Sequence, residues 1–215
     1  MLPELFESTL AGTRDSLGEQ ACVLRGYALP YLAQLLPALD AIQEAAPFRN
    51  MTTPGGYVMS VALTNCGALG WTTDRHGYRY TGRDPQSGRP WPAMPEVLSR
   101  LASEAAAEAG FSRFEPDACL INRYLPGSRL SLHQDKNEKD AAAPIVSVSL
   151  GIPAVFLFGG HERADRPRRV PLFHGDVAVW GGVDRMRYHG IMPLKEERHP
   201  VLGAQRINIT LRKAG

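Results

Sequence analysis

An imidazole and a carboxylate stand two residues apart in the stretch Leu130-Ser131-Leu132-His133-Gln134-Asp135-Lys136-Asn137. The leucines at 130 and 132 alternate with Ser131, His133 and Asp135. On a strand that period of two sends the leucines to one face and His133 with Asp135 to the other. Side by side, the two groups make two thirds of a 2-His-1-carboxylate triad. Such a triad grips Fe(II) on one face and leaves positions open for a cosubstrate and oxygen. The third ligand must be a distant histidine, and His189 is the candidate. His-x-Asp is weak as a motif, and the chain holds a second one in His174-Gly175-Asp176. There the central glycine suits a turn feeding the strand Val177-Ala178-Val179-Trp180. It also leaves room for barely one strand before His189, too little for a barrel wall between ligands.

A second group of residues points to an anionic ligand. In Arg206-Ile207-Asn208-Ile209-Thr210-Leu211-Arg212 the aliphatics take one face of a strand, and Arg206, Asn208, Thr210 and Arg212 take the other. Arginines on a half-buried strand need anionic partners of matching geometry, and a dicarboxylate supplies them through paired hydrogen bonds. The alternative is that both arginines run along the surface from a terminal strand with their heads in water. Leu120-Ile121-Asn122-Arg123-Tyr124 likewise sends Asn122 and Tyr124 to one side, where both can donate to a carboxylate or keto oxygen.

The elements that must carry these groups are short strands. Ala118–Tyr124, Arg129–Asp135, Ile145–Leu150, Ala154–Phe158, Val170–Phe173, Val177–Trp180, Arg187–Ile191 and Arg206–Arg212 follow one another with Pro and Gly turns and no intervening helix. Eight such strands predict an antiparallel jelly roll over about 115–213. Upstream, helices are expected over Tyr31–Ala46, kinked or split at Pro37, and from Pro95 to Ala109 with Gly110 as the stop. Short strands are expected at Ala21–Leu24 and Tyr57–Thr64, the latter after a turn at Thr53-Pro54-Gly55-Gly56. Residues 1–20 carry little pattern and read as a loose N-terminal extension. From Asn65 to Pro92 the chain is rich in Gly, Thr, Arg, Trp and Tyr and poor in aliphatics. Its Trp71–Tyr80 segment suits stacking on a base or sugar, or equally the pinning of a long loop to the core. The loop His161–Arg169 holds four arginines, which are a solvated surface or a phosphate grip.

Bulk properties narrow the classes. The chain's 215 residues, 44% hydrophobic and 21% charged, suffice for one core in one domain. A net charge of +2 permits contact with a polyanion without demanding it. Three scattered cysteines, Cys22, Cys66 and Cys119, suggest neither a disulfide framework nor a zinc knuckle. The uncharged stretch Pro144–Gly160 has the prolines, glycines and alternating serines of two strands and a turn, so no membrane span is expected. The simplest home is a reducing cytoplasm, and a monomer without an obligate protein partner is the expected state.

With those pieces assembled, the chain resembles the AlkB family of Fe(II)/2-oxoglutarate-dependent nucleic-acid dealkylases. The likeness runs from about Cys22 to Ala214 and rests on Thr53-Pro54-Gly55-Gly56-Tyr57, Leu69-Gly70-Trp71-Thr72-Thr73, Pro116–Tyr124, Leu130–Lys136, Tyr188-His189-Gly190-Ile191 and Arg206–Arg212. The resemblance implies an α+β, mainly β fold: a double-stranded β-helix with supporting helices and a nucleotide-recognition lid over about 50–90. It implies that His133, Asp135 and His189 bind Fe(II) and form the catalytic centre. Asn122, Arg123, Tyr124, Arg206, Asn208 and Arg212 would hold the cosubstrate 2-oxoglutarate. Trp71 would trap an extruded base against His133, and Tyr78, Arg163, Thr53, Tyr57 and Asn137 would contact the nucleotide. The implied reaction uses molecular oxygen and demethylates 1-methyladenine- and 3-methylcytosine-type bases in single- or double-stranded DNA, with RNA as a further polymer, releasing formaldehyde and succinate.

One position departs from the pattern. Closely similar AlkB proteins carry an aspartate two residues after the iron-binding one, and here Asn137 stands there. An amide attracts a cationic methylated base less than a carboxylate does, although it still accepts from an exocyclic amine, and Glu138 next door is a candidate source of charge. Two other readings stay open at this stage. One is a 2-oxoglutarate-dependent hydroxylase of a protein or small molecule, and the other a metal-free nucleic-acid-binding jelly roll. A zinc hydrolase would use the same ligands but has no need of the Arg206–Arg212 face.

Overall fold

A computed structural model of the chain describes residues 11–215, and residues 1–10 of the expected N-terminal extension lie outside them. In chain order the strands are β1 (Arg14–Ser16), β2 (Ala21–Leu24), β3 (Arg49–Thr52), β4 (Val58–Gly67), β5 (Gly70–Asp74), β6 (Gly77–Thr81), β7 (Ala118–Tyr124), β8 (Leu130–His133), β9 (Ile145–Gly151), β10 (Ala154–Phe158), β11 (Arg168–Leu172), β12 (Val177–Trp180), β13 (His189–Ile191) and β14 (Arg206–Arg212). Helix α1 (Leu32–Ala45) follows β2, and α2 (Glu96–Glu108) precedes β7.

The eight expected strands split evenly between two sheets. The larger sheet runs β1-β2-β12-β9-β14-β7-β4-β3 and the smaller β11-β10-β13-β8. Pairing of the named strands is antiparallel throughout. From β7 on, the chain passes back and forth between the sheets, which is the jelly-roll arrangement.

The period of two decides which side chains enter which layer. Val146, Val148 and Leu150 of β9 and Ile207, Ile209 and Leu211 of β14 face one way, into a core shared with Leu98, Leu101 and Ala105 of α2 and Leu35 and Ile42 of α1. Their alternate neighbours, Ser147, Ser149, Arg206, Asn208, Thr210 and Arg212, face the gap between the sheets and are buried as well. Both helices therefore act as backing. They cover the apolar face of the large sheet so that its other face is free to carry polar groups. Between the sheets, Phe156, Phe158, Trp180, Ile191 and Tyr124 form a second core.

The structure adds detail to four stretches of the sequence reading. Residues 14–16 are no loose extension: β1 pairs with β2 from Arg14↔Leu24 to Ser16↔Cys22. Pro37 neither splits nor ends α1, which runs through it for fourteen residues. The expected lid region is only partly separate from the sheets, because β3 and β4 extend the large sheet and β4 pairs with β7 from Ala62 to Gly67. Within the remainder, β5 and β6 form a hairpin of their own that few aliphatics announced. By contrast, α2 opens after Pro95 and Gly110 follows it at φ +100°, a backbone state that glycine takes without strain.

The second His-x-Asp site is structural. Asp176 accepts from the amides of Gly26 and Phe173 and pairs with buried Arg25. His174 is buried, its Nδ1 accepts the Gly151 amide at 3.0 Å, and its ring lies 4.2 Å from that of His199. Burial, then the neighbouring His199, pushes its pKa down to about 4. Because the folded value lies below the ordinary one of roughly 6.5, the unfolded chain takes up the proton first. This contribution to stability is whole above about pH 6.5 and is lost as the pH falls toward 4. Thermal melts across that window should show the loss. It should shrink in His174→Asn, whose side-chain oxygen can still accept the Gly151 amide but does not titrate.

Candidate iron and cosubstrate site

The two candidate ligand histidines meet through sheet register. In the small sheet β8 pairs with β13 so that His133 lies directly opposite His189, with ring centroids 4.4 Å apart. The strands approach closely here: a Cβ on Gly190 would come within 2.6 Å of the Leu130 carbonyl oxygen. Each ring is oriented by its Nδ1, which faces a backbone carbonyl two residues upstream, Ser131 at 2.9 Å and Arg187 at 3.0 Å. A carbonyl only accepts, so both Nδ1 atoms carry the proton and each Nε2 keeps a free lone pair. Those lone pairs face Asp135: His133 Nε2 is 3.7 Å from Oδ1 and His189 Nε2 is 3.7 Å from Oδ2. The ligand atoms of the three residues all lie within 4.8 Å of one another. Two imidazoles and one carboxylate on one side of an open space fit a divalent iron with coordination positions to spare.

Asp135 reaches this position differently from the sequence expectation. Strand β8 stops at His133, and Asp135 stands beyond its end. It is held by contacts that no local pattern reveals. The guanidinium of Arg185 donates to the Asp135 carbonyl at 2.7 Å, and Gln134 Nε2 donates to the Met186 carbonyl at 2.6 Å. The turn before β13 thus grips the loop after β8 and brings the carboxylate back toward both rings.

Electrostatics suit metal binding. Burial would raise the Asp135 carboxyl, but the Arg212 guanidinium and then the two imidazoles outweigh it and hold the group well below the usual carboxylate range. Arg212 donates to Asp135 Oδ2 from Nε at 3.0 Å and from Nη2 at 2.6 Å. His189 is pushed down to about 4 by burial and by His133, against the pull of Asp135, so it is neutral at pH 7. Trp180 closes the apolar side, its ring 5.0 Å from that of His189.

The cosubstrate candidates line the same cavity, about 820 Å³ in volume, from the large sheet. Register sets Asn208 of β14 opposite Asn122 of β7 and Ser149 of β9, with Arg206 opposite Tyr124. Arg206 is fully buried yet makes one hydrogen bond, to Ser149 Oγ at 2.7 Å; its Nε and Nη1 have no partner among the described residues. Burial lowers its pKa. A buried guanidinium with two unmet donors is a site for an anion. One sequence candidate does not reach the cavity. Arg123 sits on the other face of β7, its guanidinium 4.9 Å from the Phe48 ring centroid, because neighbouring residues of a strand point oppositely.

The nucleotide candidates ring the cavity mouth. Thr53, Tyr57, Trp71, Tyr78, Asn137 and Arg163 all line it. Trp71 and Tyr78 stack with centroids 5.6 Å apart and planes at 23°. Trp71 is fixed through its backbone, since the buried Asn65 amide accepts from its N–H at 2.9 Å and donates to its carbonyl at 3.0 Å. Glu138, expected to add charge for a base, is instead buried among Arg185, Arg212 and Tyr80.

Comparison with known proteins agrees with this geometry. The family model of the 2OG-Fe(II) oxygenase superfamily matches residues 20–212. The alpha-ketoglutarate-dependent dioxygenases AlkB of Salmonella typhimurium and Escherichia coli K12 are 56% and 55% identical to the chain, covering 94% of it and 93% and 94% of their own lengths. The chain belongs to the AlkB family of 2OG-Fe(II) oxygenases. The fold agrees with the solved structure of OsALKBH1, with TM-score 0.81 at 24% identity over 94% of this chain and all of that one. As an AlkB-family dioxygenase it uses Fe(II), 2-oxoglutarate and oxygen, and the triad and the unmet Arg206 donors are suited to the first two.

Arg206 gives a test that separates stability from binding. A buried cation with unmet donors contributes little to folding, so Arg206→Met should leave the melting temperature unchanged or raise it. Anaerobic titration of the Fe(II)-loaded variant with 2-oxoglutarate should nevertheless show affinity lowered by at least about 30-fold.

Proposed function

We propose that the chain oxidatively removes alkyl groups from ring nitrogens of nucleic-acid bases, 1-methyladenine and 3-methylcytosine being the type lesions, in single- or double-stranded DNA and also in RNA. His133, Asp135 and His189 are the iron ligands and the catalytic centre. Asn122, Tyr124, Arg206, Asn208 and Arg212 hold 2-oxoglutarate, the two guanidiniums each taking a carboxylate. When bound, the iron, cosubstrate and oxygen supply the oxidation, which yields succinate, carbon dioxide and, from an N-methyl group, formaldehyde.

The observation that carries the substrate half of this reading is the make-up of the cavity mouth. Among the described lining residues the exposed charges are Arg129, Lys136 and Arg163, and the one acidic group, Asp135, is recessed among them. A cationic mouth attracts a polyanion. Stacked aromatics at 71 and 78 offer a face to a base drawn out of its stack, and lesions that weaken pairing lower the energy of extrusion. Trp71 and His133 then enclose the base, with Thr53, Tyr57, Tyr78 and Arg163 around the nucleotide. A protein or small-metabolite substrate would have no use for this combination. No helix among the described residues is long and apolar enough to cross a membrane. Three buried free thiols suit a reducing cytoplasm, and we infer a monomer there.

Formaldehyde release from a 3-methylcytosine oligonucleotide tests the activity. His133→Ala should abolish release while retaining weak oligonucleotide binding; full activity in that variant would remove the ligand assignment. Replacing Arg129 and Lys136 together by alanine should weaken oligonucleotide binding and flatten its log–log salt dependence by about 1–2. Asn137 lines the mouth without a charge, and Glu138 is engaged elsewhere. Asn137→Asp should therefore change repair of 1-methyladenine and 3-methylcytosine by different factors. An unchanged ratio between the two lesions would dismiss Asn137 as a determinant of preference.

A further inference from the structure

Behind Arg212 lies a group of buried side chains for which binding of iron, cosubstrate or base leaves no direct role. Glu138 is buried with one oxygen toward Arg185, whose Nη2 donates to Oε2 at 3.1 Å, and the other, Oε1, 3.5 Å from Arg212 Nε. The same Oε1 accepts the hydroxyl of Tyr80 at 2.6 Å. Tyr80 belongs to β6, so the hairpin that presents Trp71 and Tyr78 at the mouth also sends a phenol inward to Glu138. Burial, together with the Glu138 and Asp135 carboxylates, raises the phenol well above its ordinary pKa despite Arg212. The hydroxyl stays protonated and donates.

Charge bookkeeping gives the hydroxyl a purpose. Arg212 faces two carboxylates, Asp135 at 2.6 Å and Glu138 at 3.5 Å. A carboxylate of the cosubstrate arriving at Arg212 is a third anion competing for one guanidinium. A hydrogen bond from Tyr80 draws electron density on Glu138 away from Arg212 and keeps that carboxylate turned aside. We propose that Tyr80 is a positioning residue for cosubstrate binding, holding Glu138 off Arg212 so that the guanidinium is available to a 2-oxoglutarate carboxylate it never touches itself. The inference rests on the reading that Arg212 binds 2-oxoglutarate. It makes the β5–β6 hairpin a contributor to the cosubstrate site as well as to the mouth. The plainer role, an aromatic pinning the hairpin to the core, would change stability without singling out the cosubstrate.

A double-mutant cycle on the full chain separates these possibilities. Native protein, Tyr80→Phe, Glu138→Gln and the double variant are loaded anaerobically with Fe(II) and titrated with 2-oxoglutarate, following the iron-to-keto charge-transfer band. Tyr80→Phe should raise the 2-oxoglutarate Kd by about three- to tenfold, the net size of one ordinary hydrogen bond, because the phenol acts on the cosubstrate only through Glu138. Its affinity for Mn(II), read by electron paramagnetic resonance without cosubstrate, should stay native. In the Glu138→Gln background the tyrosine substitution should have no further effect, since the competing charge is gone. A native 2-oxoglutarate Kd in Tyr80→Phe would overturn the proposal, as would an equal effect in both backgrounds. Arg212→Ala guards the premise. If it binds 2-oxoglutarate as the native protein does, the cosubstrate assignment itself fails, a result distinct from an inert Tyr80.

Discussion

A guanidinium taken out of water is strongly unfavourable unless an anion meets it, and the two arginines of β14 answer that constraint in opposite ways. Arg212 is satisfied from within, by two hydrogen bonds to Asp135 and by Glu138 beyond. Arg206 has two donors unmet among the described residues, with the Ser149 hydroxyl accepting from Nη2 and the Tyr124 ring centroid 5.1 Å away. The first arrangement keeps the Asp135 carboxylate ionised and aimed; the second leaves a guanidinium suited to an anion facing the cavity. Much of the remaining structure can be understood as what keeps these two groups in place and dry.

Two sheets are required because the site draws on both. The small sheet supplies both histidines of the triad, as cross-strand neighbours on β8 and β13. The large sheet supplies the polar row of Asn122, Arg206, Asn208 and Arg212. Neither sheet alone carries both the histidine pair and the polar row, and the jelly roll sets the two faces against each other across one cavity. Helices α1 and α2 take no part in the chemistry. By covering the opposite face of the large sheet they let β14 carry aliphatics on one side and charge on the other.

Strand pattern was legible where one face of a strand is apolar and the other is polar. The alternation in β14 names its four inward polar groups, and that in β7 separates Asn122 and Tyr124 from Arg123. Family resemblance nonetheless attached Arg123 to the cosubstrate, and the pleat places it over Phe48 instead. Pattern misled where tertiary contacts overrule local preference. Pro37 removes one backbone donor, yet packing of Leu35 and Ile42 into the core carries α1 across it. The β5–β6 hairpin lacks aliphatic alternation because polar and aromatic groups on it meet Asn65, Glu138 and the cavity mouth.

By itself, the sequence determined the inventory of chemistry and the faces on which it would lie: a histidine and a carboxylate two residues apart, a distant histidine, and a strand edged with arginine and asparagine. Those follow from residue type and a period of two, both local properties. Only the tertiary structure decided that His133 stands opposite His189, and that Arg185, fifty residues from Asp135, holds that residue's backbone after its strand has ended. Only there, too, does Glu138 turn inward to Tyr80 rather than outward to a base. Register between distant strands and the pairing of buried charges depend on the whole core closing at once, and no window of sequence contains that information.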